Sequence, residues 1–278
     1  MKHDRIYTNG INLHYVTEGE GDLILFLHGF PECWYSWRKQ IPKFSKDHKV
    51  VAIDLRGYND SDKPSESSAY TMPEFVADVK GVIQGLGYQR CTLVGHDWGG
   101  IIAWNFAYQH PEMLDRLVIL NLPHPAKFSQ GLLTPQQLLK SWYILFFQVP
   151  FLPEFFVQLD DYKALESAFK GMAIKKDTFS DEDINFYKDA FAKRGASTAA
   201  INYYRNAFKF GVMKKNWGVL DVPTLMIWGE KDTALGKELT YGTEQYVRDF
   251  QIRYIPNCSH WVQQEQPDLV NQYIREFL

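Results

Sequence analysis

The stretch Cys91-Thr92-Leu93-Val94-Gly95-His96-Asp97-Trp98-Gly99-Gly100-Ile101 decides the fold. A strand-like run, Cys91–Val94, leads directly into Gly95-His96-Asp97-Trp98-Gly99, and a helical pattern opens at Ile101 and stops before Pro111. The turn has the form G-x-nucleophile-x-G between strand and helix, with Asp where a serine hydrolase carries Ser. In such a turn the central residue is strained and its side chain points out of the sheet, and glycine on either side leaves room for it. The adjacent helix N-terminus favours an anionic side chain at that point. Taken alone, the same residues also read as an ordinary βα loop in which Asp97 caps the helix. A carboxylate in this position excludes serine-esterase chemistry. It suits displacement at an sp3 carbon, which leaves an ester that water must open, as with epoxides or alkyl halides.

Outward from the turn, short apolar runs recur: Leu23–Leu27, Val50–Ile53, Leu117–Leu120 and Thr224–Trp228. Continuous apolar runs of this length suit strands of a parallel sheet covered by helices on both faces. A helical pattern from Pro73 to Leu86, with Thr71 placed to cap it, lies between two of them. Strands alternating with helices imply right-handed crossovers and an open, twisted α/β sheet. At the start, Arg5–Thr8 and Ile11–Thr17 flank Asn9-Gly10. That dipeptide predicts a tight hairpin, so the sheet begins antiparallel. The alternation stops near Pro123 and resumes near Val222, and the stretch between is helix-rich and aromatic. It reads as a helical cap, residues 125–217, set over the carboxyl ends of the strands, where open α/β folds bind ligands. The core then comprises residues 1–124 and 218–278.

The remaining chemistry follows in chain order. Asp232 comes after the strand Thr224–Trp228, and His260 comes after the strand-like Gln251–Ile255, giving nucleophile, acid, base. His260 takes a proton from water in this reading, and Asp232 orients the imidazole and stabilises its cation. Eight histidines are present, so His260 is singled out only by its position and partners. His28-Gly29-Phe30-Pro31 follows the strand Leu23–Leu27. The backbone N–H groups of Phe30 and Trp98 are placed to converge as an oxyanion hole. A cis bond at Pro31 would aim this turn, with a plain strand-ending turn as the alternative. His28 reads as a buttress of the loop.

With these residues assembled, the chain resembles the epoxide hydrolases of the α/β-hydrolase fold, along nearly its whole length. The likeness is carried by His28-Gly29-Phe30-Pro31-Glu32, Trp37-Arg38, Asp54-Leu55-Arg56-Gly57-Tyr58, Gly95–Gly100, Asn121-Leu122-Pro123-His124-Pro125 and Ser259-His260-Trp261. It extends to two cap segments. Trp142–Pro150 is similar to the family segment carrying the first epoxide-polarising tyrosine, which falls on Tyr143. Asn202-Tyr203-Tyr204-Arg205-Asn206 is similar to the one carrying the second, which falls on Tyr204. The resemblance implies that each phenol donates a hydrogen bond to the epoxide oxygen and stabilises the developing alkoxide. Sixteen tyrosines are present, and it is the matching segments that distinguish these two from packing residues. One departure is Asn59, where the family usually has glycine. Asn tolerates a left-handed backbone, so no loss of function is expected.

The nearest rival is a haloalkane or haloacid dehalogenase with the same Asp-His-Asp set. Phe30 offers no side-chain donor to a halide where haloalkane dehalogenases often have Asn. Trp98 stands where fluoroacetate dehalogenases carry the Arg that holds the substrate carboxylate. A non-catalytic receptor or interaction protein on the same fold is the other alternative, and the complete residue set argues against it. The cap aromatics Trp142, Phe146, Phe147, Phe151, Phe155 and Phe156 read mainly as packing between cap helices and core. Some would also line an apolar pocket, with Phe30, Trp98, Trp142 and Trp261 contacting a hydrophobic, aromatic or lipid-like epoxide.

Composition bounds the rest. A net charge of -3 leaves no basic footprint for nucleic acid and no polybasic membrane patch. Cys33, Cys91 and Cys258 are scattered, without metal or redox spacing, and read as reduced thiols of a cytoplasmic protein. Cys33 reads as a small packing residue. The charged N-terminus precedes no long apolar run, and Tyr143–Phe156 is too interrupted to span a bilayer, so neither leader nor membrane anchor is expected. No metal or organic cofactor is implied. Substrate and water are the expected partners, with the chain acting as a monomer or homodimer.

Overall fold

The computed structural model describes residues 1–207 and 216–278. Its strands are β1 (Lys2–Thr8), β2 (Ile11–Glu18), β3 (Leu23–Leu27), β4 (Lys49–Ile53), β5 (Cys91–His96), β6 (Leu114–Leu120), β7 (Thr224–Gly229) and β8 (Phe250–Ile255). They form one sheet in the order β1-β2-β4-β3-β5-β6-β7-β8. β2 pairs antiparallel with both β1 and β4, and every later pairing is parallel. The expected hairpin is present. Thr8 pairs with Ile11, and Asn9 and Gly10 both take positive φ, 47° and 78°, as a tight turn between right-twisted strands requires. β1 extends three residues further back than its apolar signal, because its burial alternates between exposed and half-buried and so carries little hydrophobic pattern.

Side chains alternate across the sheet, and the two faces feed separate cores. Leu23, Leu25 and Leu27 pack on one side with the helices Met72–Gly85 and Trp98–Gln109. Ile24 and Phe26 pack on the other with Phe44 and with Val270 and Ile274 of the helix Pro267–Phe277. Thr71 holds the N-cap position of Met72–Gly85 in extended conformation, but its side chain makes no capping bond.

The helix after the turn starts at Trp98, earlier than its apolar pattern suggests. Gly99 explains the difference: a Cβ there would lie 2.2 Å from the Leu27 carbonyl oxygen. The glycines therefore belong to the first helical turn, where they let it press against β3 and the loop that follows.

Between β6 and β7 the chain forms Pro125–Gly131, Pro135–Lys140, Trp142–Phe146, Leu152–Met172, Asp181–Ala192 and Ala196–Ala207, a helical insertion. Leu152–Met172 is broken at Leu159–Tyr162, where Asp160, Asp161 and Tyr162 are left-handed. Part of the expected cap, residues 208–215, lies outside the described residues. The aromatic packing expectation needs correction. Phe147 is buried and Phe146 packs on the core, yet Trp142, Phe151, Phe155 and Phe156 are 63%, 86%, 60% and 48% exposed. The physical reason is their place: Trp142, Phe146 and Phe156 rim the cavity described below, so the segment wraps a mouth and leaves one side to solvent. Among the described residues no helix is long and apolar enough to cross a membrane.

Candidate active site

Asp97 sits between the end of β5 and the helix Trp98–Gln109, with φ 48° and ψ −119°. That strain is held by a close fit beneath it, where a Cβ on Gly29 would meet the Asp97 Cβ at 2.4 Å. The Asp97 Oδ1 accepts the Phe30 backbone N–H at 2.8 Å, and Oδ2 lies 3.6 Å from His260 Nε2. The other ring nitrogen, Nδ1, is 2.7 Å from Asp232 Oδ2. The three residues expected from chain order are thus brought together, from the ends of β5, β7 and β8.

Charge and burial oppose each other here. Burial alone would raise the Asp97 pKa, but the His260 hydrogen bond and charge hold it below the ordinary value. Asp232 is likewise lowered: burial is outweighed by the charge and hydrogen bond of His260, then by the Asn121 amide and the Leu235 N–H. Burial would lower His260, yet Asp232 and then Asp97 raise it well above the usual histidine value. The resting site is two carboxylates around one imidazolium.

The Phe30–Pro31 bond is cis. His28 is buried, with Nδ1 2.8 Å from the Gly29 carbonyl and Nε2 accepting the Leu55 N–H at 3.0 Å, a loop buttress as expected. Asn59 is left-handed at φ 38° and its amide donates to Asp54 at 2.8 Å, so it meets the backbone demand of its position. The Cys33 thiol is buried and pushed well up by that burial, as an inert packing residue should be.

Three positioning residues escaped the reading of single motifs. Asn121, left-handed at the end of β6, donates from Nδ2 to Asp232 Oδ2 at 2.8 Å and accepts the Gly229 N–H at 2.8 Å. His96 places Nε2 2.9 Å from the His260 backbone carbonyl and Nδ1 2.8 Å from Glu32. Glu32, fully buried, also accepts the Gly29 N–H at 3.0 Å and both Gln263 and Gln264 amides. It therefore ties the Phe30 loop to the His260 loop. The only sequence signal was their occurrence inside the quoted family segments, which says nothing of what they touch.

Above the triad lies a cavity of about 580 Å³, walled by Asp97, Tyr143, Tyr204 and His260 together with Phe30, Trp142 and Trp261. Trp98, the fourth residue expected to contact substrate, lines a second cavity of about 70 Å³. The Tyr143 and Tyr204 rings meet edge to face with centroids 5.8 Å apart. Burial, then the Asp97 charge, raises the pKa of both phenols, so both remain protonated donors. Among the described residues no protein acceptor takes either hydroxyl proton. Tyr203, beside Tyr204, donates to the Arg56 carbonyl at 2.6 Å and so pins the helix Ala196–Ala207 to the core.

His14, Asp54 and Asp60 bring ligand atoms within 4.8 Å of one another, away from this cavity. Their groups are already engaged: His14 and Asn59 on Asp54, and Lys193 on Asp60 at 2.7 Å.

Comparison with known proteins agrees with this geometry. The family described as alpha/beta hydrolase fold matches residues 22–267. Epoxide hydrolase 4 of Mus musculus is 42% identical over 99% of this chain and 78% of its own length. Epoxide hydrolase 3 of Xenopus tropicalis is 44% identical over 99% of this chain and 76% of its own. The crystal structure of Bacillus megaterium epoxide hydrolase in complex with an inhibitor superposes with TM-score 0.93 at 37% identity, covering 99% of each chain. A carboxylate nucleophile, a shared sheet and cap, and identity sustained along the chain leave one assignment: the protein belongs to the epoxide hydrolases of the α/β-hydrolase fold.

Proposed function

We propose that the chain converts a hydrophobic epoxide to a vicinal diol in two steps. In the first, Asp97 Oδ2 attacks a ring carbon, the C–O bond breaks, and the departing oxygen is held by the Tyr143 and Tyr204 hydroxyls and takes up, by way of a phenol or solvent, the proton that the His260 imidazolium releases. The product is a glycol ester on Asp97. In the second, His260 Nε2 removes a proton from water and the hydroxide adds to the ester carbonyl. The charge that develops on Oδ1 is stabilised by the N–H groups of Phe30 and Trp98; the Cγ–Oδ2 bond then breaks, the glycol oxygen takes a proton from His260, and the new Asp97 carboxyl returns its own to the imidazole. Asp232 balances the imidazolium.

The observation that carries this reading is the pair of phenols lining one cavity with Asp97, their protons taken by no protein acceptor among the described residues. Two neutral donors suit an oxygen leaving group that becomes an alkoxide. The apolar rim of Trp142, Phe146 and Phe156 supports a hydrophobic substrate. Ester formation also removes the Asp97 charge, one of the two that raise His260. The imidazole then becomes the neutral base that the second step needs.

The reading divides the chain into a core, 1–124 and 218–278, and a cap, 125–217. A reducing, cytoplasmic setting is supported by Cys33, Cys91 and Cys258, all buried and unpaired. A monomer or homodimer suffices, because all five side chains come from one chain. The test is a substrate panel: diol from aryl and alkyl epoxides, against halide from haloalkanes and fluoroacetate. Diol formation is expected. Halide release without diol would establish the dehalogenase alternative, and no turnover of either class would establish the non-catalytic one.

A further inference from the structure

The two cavities differ about eightfold in volume, about 580 against 70 Å³, and Asp97, Tyr143 and Tyr204 line both. The reacting centre therefore stands at their junction. We propose that this site selects epoxides with one bulky and one small substituent, the small one lying in the second cavity, with Leu132 as part of its limiting wall. The proposal rests on the reading of Asp97 and the two tyrosines given above.

The geometry of displacement makes the two volumes count separately. Attack comes from the face opposite the breaking C–O bond, while both phenols hold the ring oxygen. With oxygen and attacked face fixed, the remaining freedom is which way the C–C bond of the ring runs, and substituents on its two carbons diverge to opposite sides. One enters each cavity. The large cavity accepts a drug-sized group, since ligand pockets run from about 300 to 1,000 Å³. The small one has room for only a short arm, such as hydrogen, methyl or ethyl.

The walls make that limit firm. Leu122, Ile144 and Leu235 are buried at 7%, 6% and 4% exposure, and Phe128 and Leu132 are half-buried around them. Close-packed aliphatic walls yield little to an extra methylene. The side chains of Leu122, Phe128, Leu132, Ile144 and Leu235 offer no partner to a polar substituent lying against them, which would be desolvated without compensation. Leu132 is the wall residue best suited to alteration. It lies just after the helix Pro125–Gly131 and outside the triad's hydrogen bonds, so shortening it enlarges the cavity without touching the chemistry.

The experiment compares three epoxides of equal carbon number: a terminal one, a trans one with a single methyl arm, and a symmetrical trans one with two pentyl arms. In the parent protein kcat/KM for the first two is expected within about tenfold, and for the symmetrical epoxide lower by about a hundredfold or more. Leu132→Ala, or Leu132→Val where the alanine variant fails to fold, is expected to raise the symmetrical epoxide severalfold relative to the terminal one. Equal turnover of symmetrical and terminal epoxides by the parent would overturn the small subsite. Unchanged selectivity in the folded variant would overturn the role of Leu132. Turnover of none of the three would overturn the epoxide reading itself, a result distinct from turnover without selectivity.

Discussion

The Nε2 of His260 stands 3.6 Å from the Oδ2 of Asp97, just beyond hydrogen-bond distance and inside the range of strong electrostatic coupling. One pair of atoms thus serves two stages. In the resting protein the imidazolium steadies the ionised nucleophile. After ester formation the same nitrogen faces the carbonyl that water must attack.

Replacing His260 with Gln should separate those stages. Ring opening continues and hydrolysis stalls, with steady-state turnover falling by about 10² to 10⁴. Peptide mass spectrometry should find the mass of the epoxide added to the peptide containing Asp97. Absence of that adduct, with an epoxide the parent hydrolyses, would exclude a covalent intermediate.

A related outcome concerns oxygen. Because Oδ2 stays bonded to the attacked carbon, the diol of a first turnover carries an oxygen from Asp97, and water's oxygen enters the carboxylate. A single turnover in oxygen-18 water should label Asp97 and leave the diol unlabelled. Label in the diol from the first turnover would mean direct attack by water.

Tyr143→Phe and Tyr204→Phe should each slow ester formation by about 10² to 10³, the cost of one donor to a developing oxyanion. Among the described residues neither hydroxyl donates to a protein acceptor, so thermal midpoints should hardly move. Pre-steady-state fluorescence of the nearby tryptophans would follow ester formation directly. A large loss of stability with unchanged alkylation would assign the phenols to packing.

Asp232→Asn should lower turnover on the order of 10³ to 10⁴, as expected when the orienting carboxylate of a triad is lost. The pH dependence should move as well. Burial lowers the His260 pKa, and Asp232 is the first of the two carboxylates that raise it. Hydrolysis of the ester needs neutral imidazole and so rises with pH through the His260 pKa. Removing the buried anion lowers that pKa, and the rising limb should shift to lower pH. A shift in the other direction would contradict the assigned pair.

Stability can be probed at Arg56 and Asp78, which pair at 2.8 and 2.6 Å with side chains 4% and 5% exposed. Asp78→Ala leaves the guanidinium buried without its partner, a cost of about 3–5 kcal/mol. Urea denaturation should register it as a lower midpoint. Because the Arg56 carbonyl also accepts Tyr203, ester formation should slow as the Tyr204 helix loosens.

Several features were legible in the residues alone because they are local or periodic. The hairpin at Asn9-Gly10, the buried strands and the strained turn at Asp97 follow from backbone sterics and from apolar runs, which need no knowledge of distant partners. Chain order nominated Asp232 and His260, and two cap segments nominated Tyr143 and Tyr204 through a family likeness. The helix beginning at Trp98 and the exposed cap aromatics were not legible, since both depend on what lies opposite in space. The same holds for Asn121, Glu32 and His96, whose partners lie 111, 64 and 164 residues away along the chain.

By itself, then, the sequence nominated the kind of chemistry, because a carboxylate in a strand-to-helix turn, followed in chain order by Asp232 and His260, suits displacement at carbon and hydrolysis of the resulting ester. The tertiary structure decided where that chemistry is applied. Only folding sets Asp97, Tyr143 and Tyr204 between a cavity of about 580 Å³ and one of about 70 Å³. Such volumes are properties of side chains packed from the whole chain, and no local pattern encodes them.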